Sequence, residues 1–189
     1  MRGMAPIDAR WFSPLWLGLL VAASAMLTVV YTCITPFAAF AVIAATTLSR
    51  GWAVGAIVAV WLADQAVGFG VLSYPWTAKT FAWGVAVGAA AVIGTLAAQW
   101  TVHRLDSFRA PVRVVTAFVS AFALYQLALY AAAATTLGGV GAFVPSIVGR
   151  VLVVNALSLV GLVGLHQLVV AAVSLSRRRR VQGSAACVA

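Results

Sequence analysis

Polar positions in this chain fall in short clusters that punctuate long apolar runs, and none of those runs alternates polar with apolar residues. Six apolar segments result, at about 14–33, 36–48, 52–73, 80–100, 112–136 and 145–174. Most approach the roughly 20 residues a helix needs to cross about 30 Å of hydrocarbon at 1.5 Å per residue. Backbone in lipid must satisfy its own hydrogen bonds, so the segments are predicted to be helices. A strand barrel would need alternation over about ten residues at a time, and "VAVGAAAVIGTLAA" (85–98) does not alternate. The fold expected is an all-α integral membrane protein. Six transmembrane helices fill 14–175, between an N-terminal stretch (1–13) and a basic tail (176–189). The second segment is short for a span, so it is either barely tilted or extended by its neighbours.

Composition agrees: 64% of the 189 residues are hydrophobic and 8% are charged, against roughly 25% charged in a soluble domain. The net charge of +9 comes from basic residues between the apolar segments and in a terminal run. They lack the aromatic interleaving of a nucleic-acid surface, which excludes that partner. Arg2, Arg10, Arg50, Arg104, Arg109, Arg113 and Arg177 to Arg180 fall on one set of connections, and Lys79 alone on the other. By the positive-inside rule both termini are cytoplasmic, which six crossings also require. Trp11, Trp16, Trp52, Trp76 and Trp100 stand near segment ends, as interfacial tryptophans do. A rival reading makes the N-terminus a signal peptide ending near "AASA". The apolar run continues beyond it through "MLTVVYTC", which favours a retained helix. Small residues at four-residue spacing (Gly18 and Ala22, Ala41 and Ala45, Gly55 and Ala59, Gly84 and Gly88) allow close helix approach. Internal packing explains most of them, and the first segment, with Gly18, Ala22 and Ala25, is the candidate docking surface for another subunit.

Asp64 is the sole acid between positions 9 and 105. Counted from Trp52 it lies roughly 18 Å into the membrane, whereas Arg150 and Asn155 lie roughly 7 and 15 Å below the outer surface, counted from Pro145. Gln126 comes out roughly 21 Å from the cytoplasmic side, with Tyr130 a turn beyond. Asp64, Gln65, Gln126, Tyr130, Arg150 and Asn155 therefore converge on the outer half. A charge at mid-bilayer costs about 2.5–3.5 kcal/mol even on the lenient insertion scale, so Asp64 and Arg150 are expected to pair or to share a polar cavity. The plainer alternative is a pair that only braces two helices. Tyr31, Phe37, Phe69, Tyr74, Trp76, Phe81 and Trp83 gather near the outer ends, where flat side chains suit a large organic ligand. "SYPW" predicts a structured rim through Pro75, and the glycine-rich "TTLGGVGAFVP" a gate. Phosphate-binding loops, serine-nucleophile motifs and paired carboxylates are absent, and neither His103 nor His166 has a partner at metal-ligand spacing. No catalysis, metal site or resident cofactor is expected.

"TPFAAFA" (35–41), "WLADQAVGFG" (61–70), "YPW" (74–76) and "FAWGVAVGAA" (81–90), together with Arg150, resemble the BtuM family of small vitamin B12 uptake proteins of Gram-negative bacteria. That family is related to the substrate-binding subunits of energy-coupling-factor transporters. The resemblance implies cobalamin or another corrinoid as transported ligand in a cavity open to the periplasm, and an ATPase module as possible partner. Asp64, Tyr74 and Arg150 match polar positions of the family; Asp64 and Arg150 are expected to organise the pocket, and the depth and residue-type reading adds Trp76, Thr77, Phe69, Gln65, Gln126, Tyr130 and Asn155 as further candidate contacts. Some members ligate cobalt through a cysteine after the third helix, linked to removal of cyanide from cyanocobalamin. Thr77 stands in that region here, which puts cobalt ligation and decyanation in doubt; Cys33 is a distant substitute. Two other readings stay open: a proton-coupled transporter using Asp64, and a structural membrane subunit.

Overall fold

The computed structural model describes residues 12–31 and 35–186, with side chains over 14–28 and 35–174. Arg2, Arg10, Trp11, Cys33, Cys187 and the side chains of Tyr31 and Arg177 to Arg180 lie outside the described residues. Among the described residues there are six α-helices: α1 (Phe12–Tyr31), α2 (Phe37–Thr47), α3 (Arg50–Gly70), α4 (Ala78–Arg104), α5 (Ala110–Ala132) and α6 (Pro145–Ala186). A π-helical turn (Ala133–Leu137) and a 3-10 turn (Val140–Phe143) join α5 to α6. Among the described residues four helical stretches are long and apolar enough to cross a membrane: Arg50–Gly70, Ala78–Arg104, Ala110–Leu137 and Pro145–Ser174. The protein is therefore a multi-pass membrane protein.

α2 differs from the short span expected. At 11 residues it is about 16 Å long, half the hydrocarbon thickness. Nine of those residues are buried, and α3, α4, α5 and α6 all touch it. A helix that is apolar all round belongs in a core. Phe37, Phe40 and Ile43 make α2 the centre of this one, with the other helices as its wall.

Half-helix ends are costly inside a membrane because first-turn N–H groups have no water to bond. Asn155 meets that need. It is 1% exposed, and its Oδ1 accepts from the backbone N–H of Ala38 (3.0 Å) and Ala39 (3.3 Å), while its Nδ2 donates to the Val151 carbonyl (2.9 Å). At the other end of α2, Trp16 of α1 donates to Thr47 Oγ1 (3.1 Å).

α4 and α5 form the largest helix–helix contact. Thr101 and Ser120 share a hydrogen bond across it (2.9 Å), and a Cβ at Gly94 would lie 3.1 Å from the Ala121 carbonyl oxygen. Gly94→Leu is expected to push the two helices apart and cost about 1–3 kcal/mol, read as a lower melting temperature in detergent. The small pairs noted in the sequence divide by role. Gly84 and Gly88 leave room for the Gln65 and Trp61 side chains, whereas Gly18 and Gly55 face nothing within 4 Å.

Candidate functional site

Asp64 lies on α3 about 21 Å from Arg50 and is 9% exposed. Its Oδ1 accepts from Thr28 of α1 (3.1 Å) and from Thr35, which precedes α2. Its Oδ2 accepts from Gln65 Nε2 (3.1 Å). Hydrogen bonds of this kind replace part of the water a buried carboxylate gives up, but they supply no countercharge.

The expected Asp64–Arg150 pair is not formed. Arg150 is exposed on α6, and among the described residues the ion pair is Arg113–Asp106 (2.9 Å). Helical phase explains the miss: five residues separate Arg150 from Asn155, a turn of about 140°. Turning Asn155 inward to cap α2 sends Arg150 out.

Two hollows lie at the end of the bundle opposite Arg50 and Arg104, and Asp64 walls one of them. One, of about 180 Å³, is lined by Asp64 and Gln65 of α3, Tyr74 of the rim, Thr80 and Trp83 of α4, and Tyr125 of α5. The other, of about 240 Å³, reaches under the α5–α6 connection, where Ala142 and Phe143 line it with Gln126. Thr35, Trp83, Val87 and Tyr125 face both hollows, so they form the partition between them. Each is smaller than the roughly 300–1,000 Å³ of a drug-sized ligand site.

The rim is built by backbone geometry. Tyr74 donates its N–H to the Gly68 carbonyl (3.0 Å), and Ser73 takes a left-handed conformation (φ 55°) to turn the chain back. A Cβ at Gly68 would sit 2.5 Å from the Tyr74 ring. Glycine at 68 is therefore what lets the tyrosine reach the hollow. In the opposite connection Gly138 and Gly139 have φ of 70° and 93°, a region glycine enters without steric cost.

Of the residues assigned from sequence, Asp64, Gln65 and Tyr74 line the first hollow and Gln126 the second. Phe37 and Trp83, two of the outer aromatics, also line the first hollow and Trp83 the second as well; the other assigned residues line neither. Phe69 stacks on Phe81 (4.8 Å between ring centroids) and packs against Trp76 (5.2 Å), an aromatic cluster on the outer rim; Trp76 is 75% exposed. Thr77 caps α4, accepting from the Thr80 N–H (3.2 Å). Tyr130 packs edge-on to Phe143 (5.4 Å), and Asn155 is spent on α2. Sequence reasoning missed Thr28, Thr35, Thr80 and Tyr125. Threonine in an apolar segment most often bonds its own preceding turn, as Thr95 does to Ala91 (2.8 Å), so nothing marked Thr28 as a partner for Asp64.

No model of a known protein family matches this chain, and neither does any curated protein or any solved structure.

Proposed function

We propose that this protein is a solute-binding membrane transport protein of the bacterial inner membrane. Its six helices, with α2 as a short buried return through the core, leave both termini cytoplasmic and a pocket facing outward, and cobalamin or a related corrinoid is its ligand. The observation that carries this reading is Asp64, a buried carboxylate without a countercharge among the described residues, in the wall of an aromatic-sided hollow. Such a group wants hydrogen-bond donors from a ligand, and a corrinoid offers a ring of carboxamide N–H groups around a broad apolar face. Asp64 and Gln65 take the amides, and Tyr74, Trp83 and Tyr125 take the ring.

The ligand is larger than either hollow, so capture requires the partition at Trp83 to move and the α5–α6 connection to lift. Thr77, exposed and engaged in capping, does not ligate cobalt, so no decyanation is assigned. An ATPase module docks on the outer stripe of α1, where Gly18 and Ala22 are exposed between Leu15 and Met26, with Ala25 half-buried beside them.

Protein produced in cells supplied with cobalamin is expected to be coloured, with the corrinoid absorption bands travelling with it through size exclusion. Colourless protein after incubation with several corrinoids contradicts the reading.

The missing countercharge also favours a second function, proton-coupled transport with Asp64 as carrier. Uptake into proteoliposomes that collapses with the proton gradient and persists without ATP selects it.

A further inference from the structure

The opposite end of the bundle holds a third hollow, of about 560 Å³, larger than either one at the Asp64 end. It lies between the start of α3 and the end of α4, and its wall includes Arg50, Gln99, Trp100, His103 and Arg104 but no acidic residue. The chain has three acidic residues in all. Asp64 is at the far end, Asp106 is bound to Arg113 (2.9 Å), and Asp8 is outside the described residues. The two arginines facing this hollow therefore lack a countercharge among the described residues.

Local backbone adds to the positive field. Ser49, ahead of α3, makes no side-chain cap, and the first turn of α3 has no acid, so the positive helix end adds to the Arg50 charge. Arg104 is held over the Trp100 ring (5.3 Å to the centroid). Gln99 Nε2 donates to the Arg50 carbonyl (3.0 Å), while its buried Oε1 has no partner. Trp100 and Trp52 are exposed on either side, as tryptophans at a headgroup layer are.

We infer that this hollow binds the phosphate headgroup of an anionic phospholipid from the adjoining leaflet. Arg50 and Arg104 hold the phosphate oxygens. Basic pockets between membrane helices suit such headgroups, each cation strengthening binding roughly fivefold. The inference does not depend on the ligand of the Asp64 hollow.

The test uses delipidated full-length protein in neutral detergent, titrated with short-chain phosphatidylglycerol, with phosphatidylcholine or with inorganic phosphate. Melting temperature is followed in parallel with lipid retention by native mass spectrometry. Phosphatidylglycerol is expected to raise the melting temperature and remain bound, with phosphatidylcholine and inorganic phosphate having little effect at equal concentration. Arg104→Gln is expected to weaken retention roughly fivefold and the Arg50→Gln/Arg104→Gln pair further, and high salt weakens the native protein likewise. Equal response to phosphatidylcholine, or undiminished phosphatidylglycerol retention in both variants, overturns the proposal. An equal response to inorganic phosphate also overturns it, by making the ligand a free anion.

Discussion

Asp64→Asn is expected to weaken corrinoid binding about 5- to 12-fold while leaving the melting temperature unchanged or raised. The loss follows from charge: a hydrogen bond to an ionised acceptor contributes about 1.5–3 kcal/mol and one to the neutral asparagine oxygen about 0.5–1.5, a difference of about 1–1.5 kcal/mol. Stability moves the other way because a buried, uncompensated carboxylate costs desolvation free energy. Asparagine keeps an acceptor for Thr28 and Thr35, and the Gln65 amide can turn its oxygen toward the new N–H. Calorimetric titration and thermal unfolding on one preparation separate the two effects. Joint loss of binding and stability would instead make Asp64 a structural brace.

Asn155→Leu has the opposite signature. It strips the buried N–H of Ala38 of its acceptor at the start of a helix that cannot turn to water, while the Ala39 N–H, which also bonds Asn155, keeps the Pro36 carbonyl (3.0 Å). An orphaned donor costs about 1–3 kcal/mol, and the variant is expected to lose about that much. For a chain of this size that lowers the melting temperature by roughly 2–12 °C. Leu157→Ala, on the exposed side of α6, serves as control and is expected to change little. An Asn155→Leu protein as stable as the native one would remove the cap from the account of how α2 is held.

Much of the architecture could be read from the chain. Blocks of about 20 apolar residues mark the long helices, because hydrocarbon thickness and helix rise leave little freedom, and Pro75 marks the turn that carries Tyr74. The role of α2 could not be read in this way. An 11-residue apolar run looks the same whether it crosses a thin membrane or fills a core, and only the packing of four helices around it decides. Within the site, depth along each helix was legible for Asp64, Gln65 and Gln126, but rotation about the helix axis was not. Arg150 and Phe69 share the right depth and point the wrong way. Each is five residues from a buried polar side chain, and apolar residues surround both, so no amphipathic pattern fixes the phase. Thr28 and Thr35 were hidden for a different reason: their hydroxyls act across helices, and spacing along the chain carries no trace of that.

Cysteine accessibility in the Asp64 hollow reports whether that hollow opens outward and takes up the corrinoid. With Cys33 and Cys187 changed to serine, Thr80→Cys puts one thiol on the wall shared by Asp64 and Trp83, to be probed in intact spheroplasts with a membrane-impermeant maleimide. Labelling from the outer side is expected, slowed at least tenfold when corrinoid is present. Labelling from the cytoplasmic side alone, or outer labelling that corrinoid leaves untouched, would contradict an outward-opening corrinoid site.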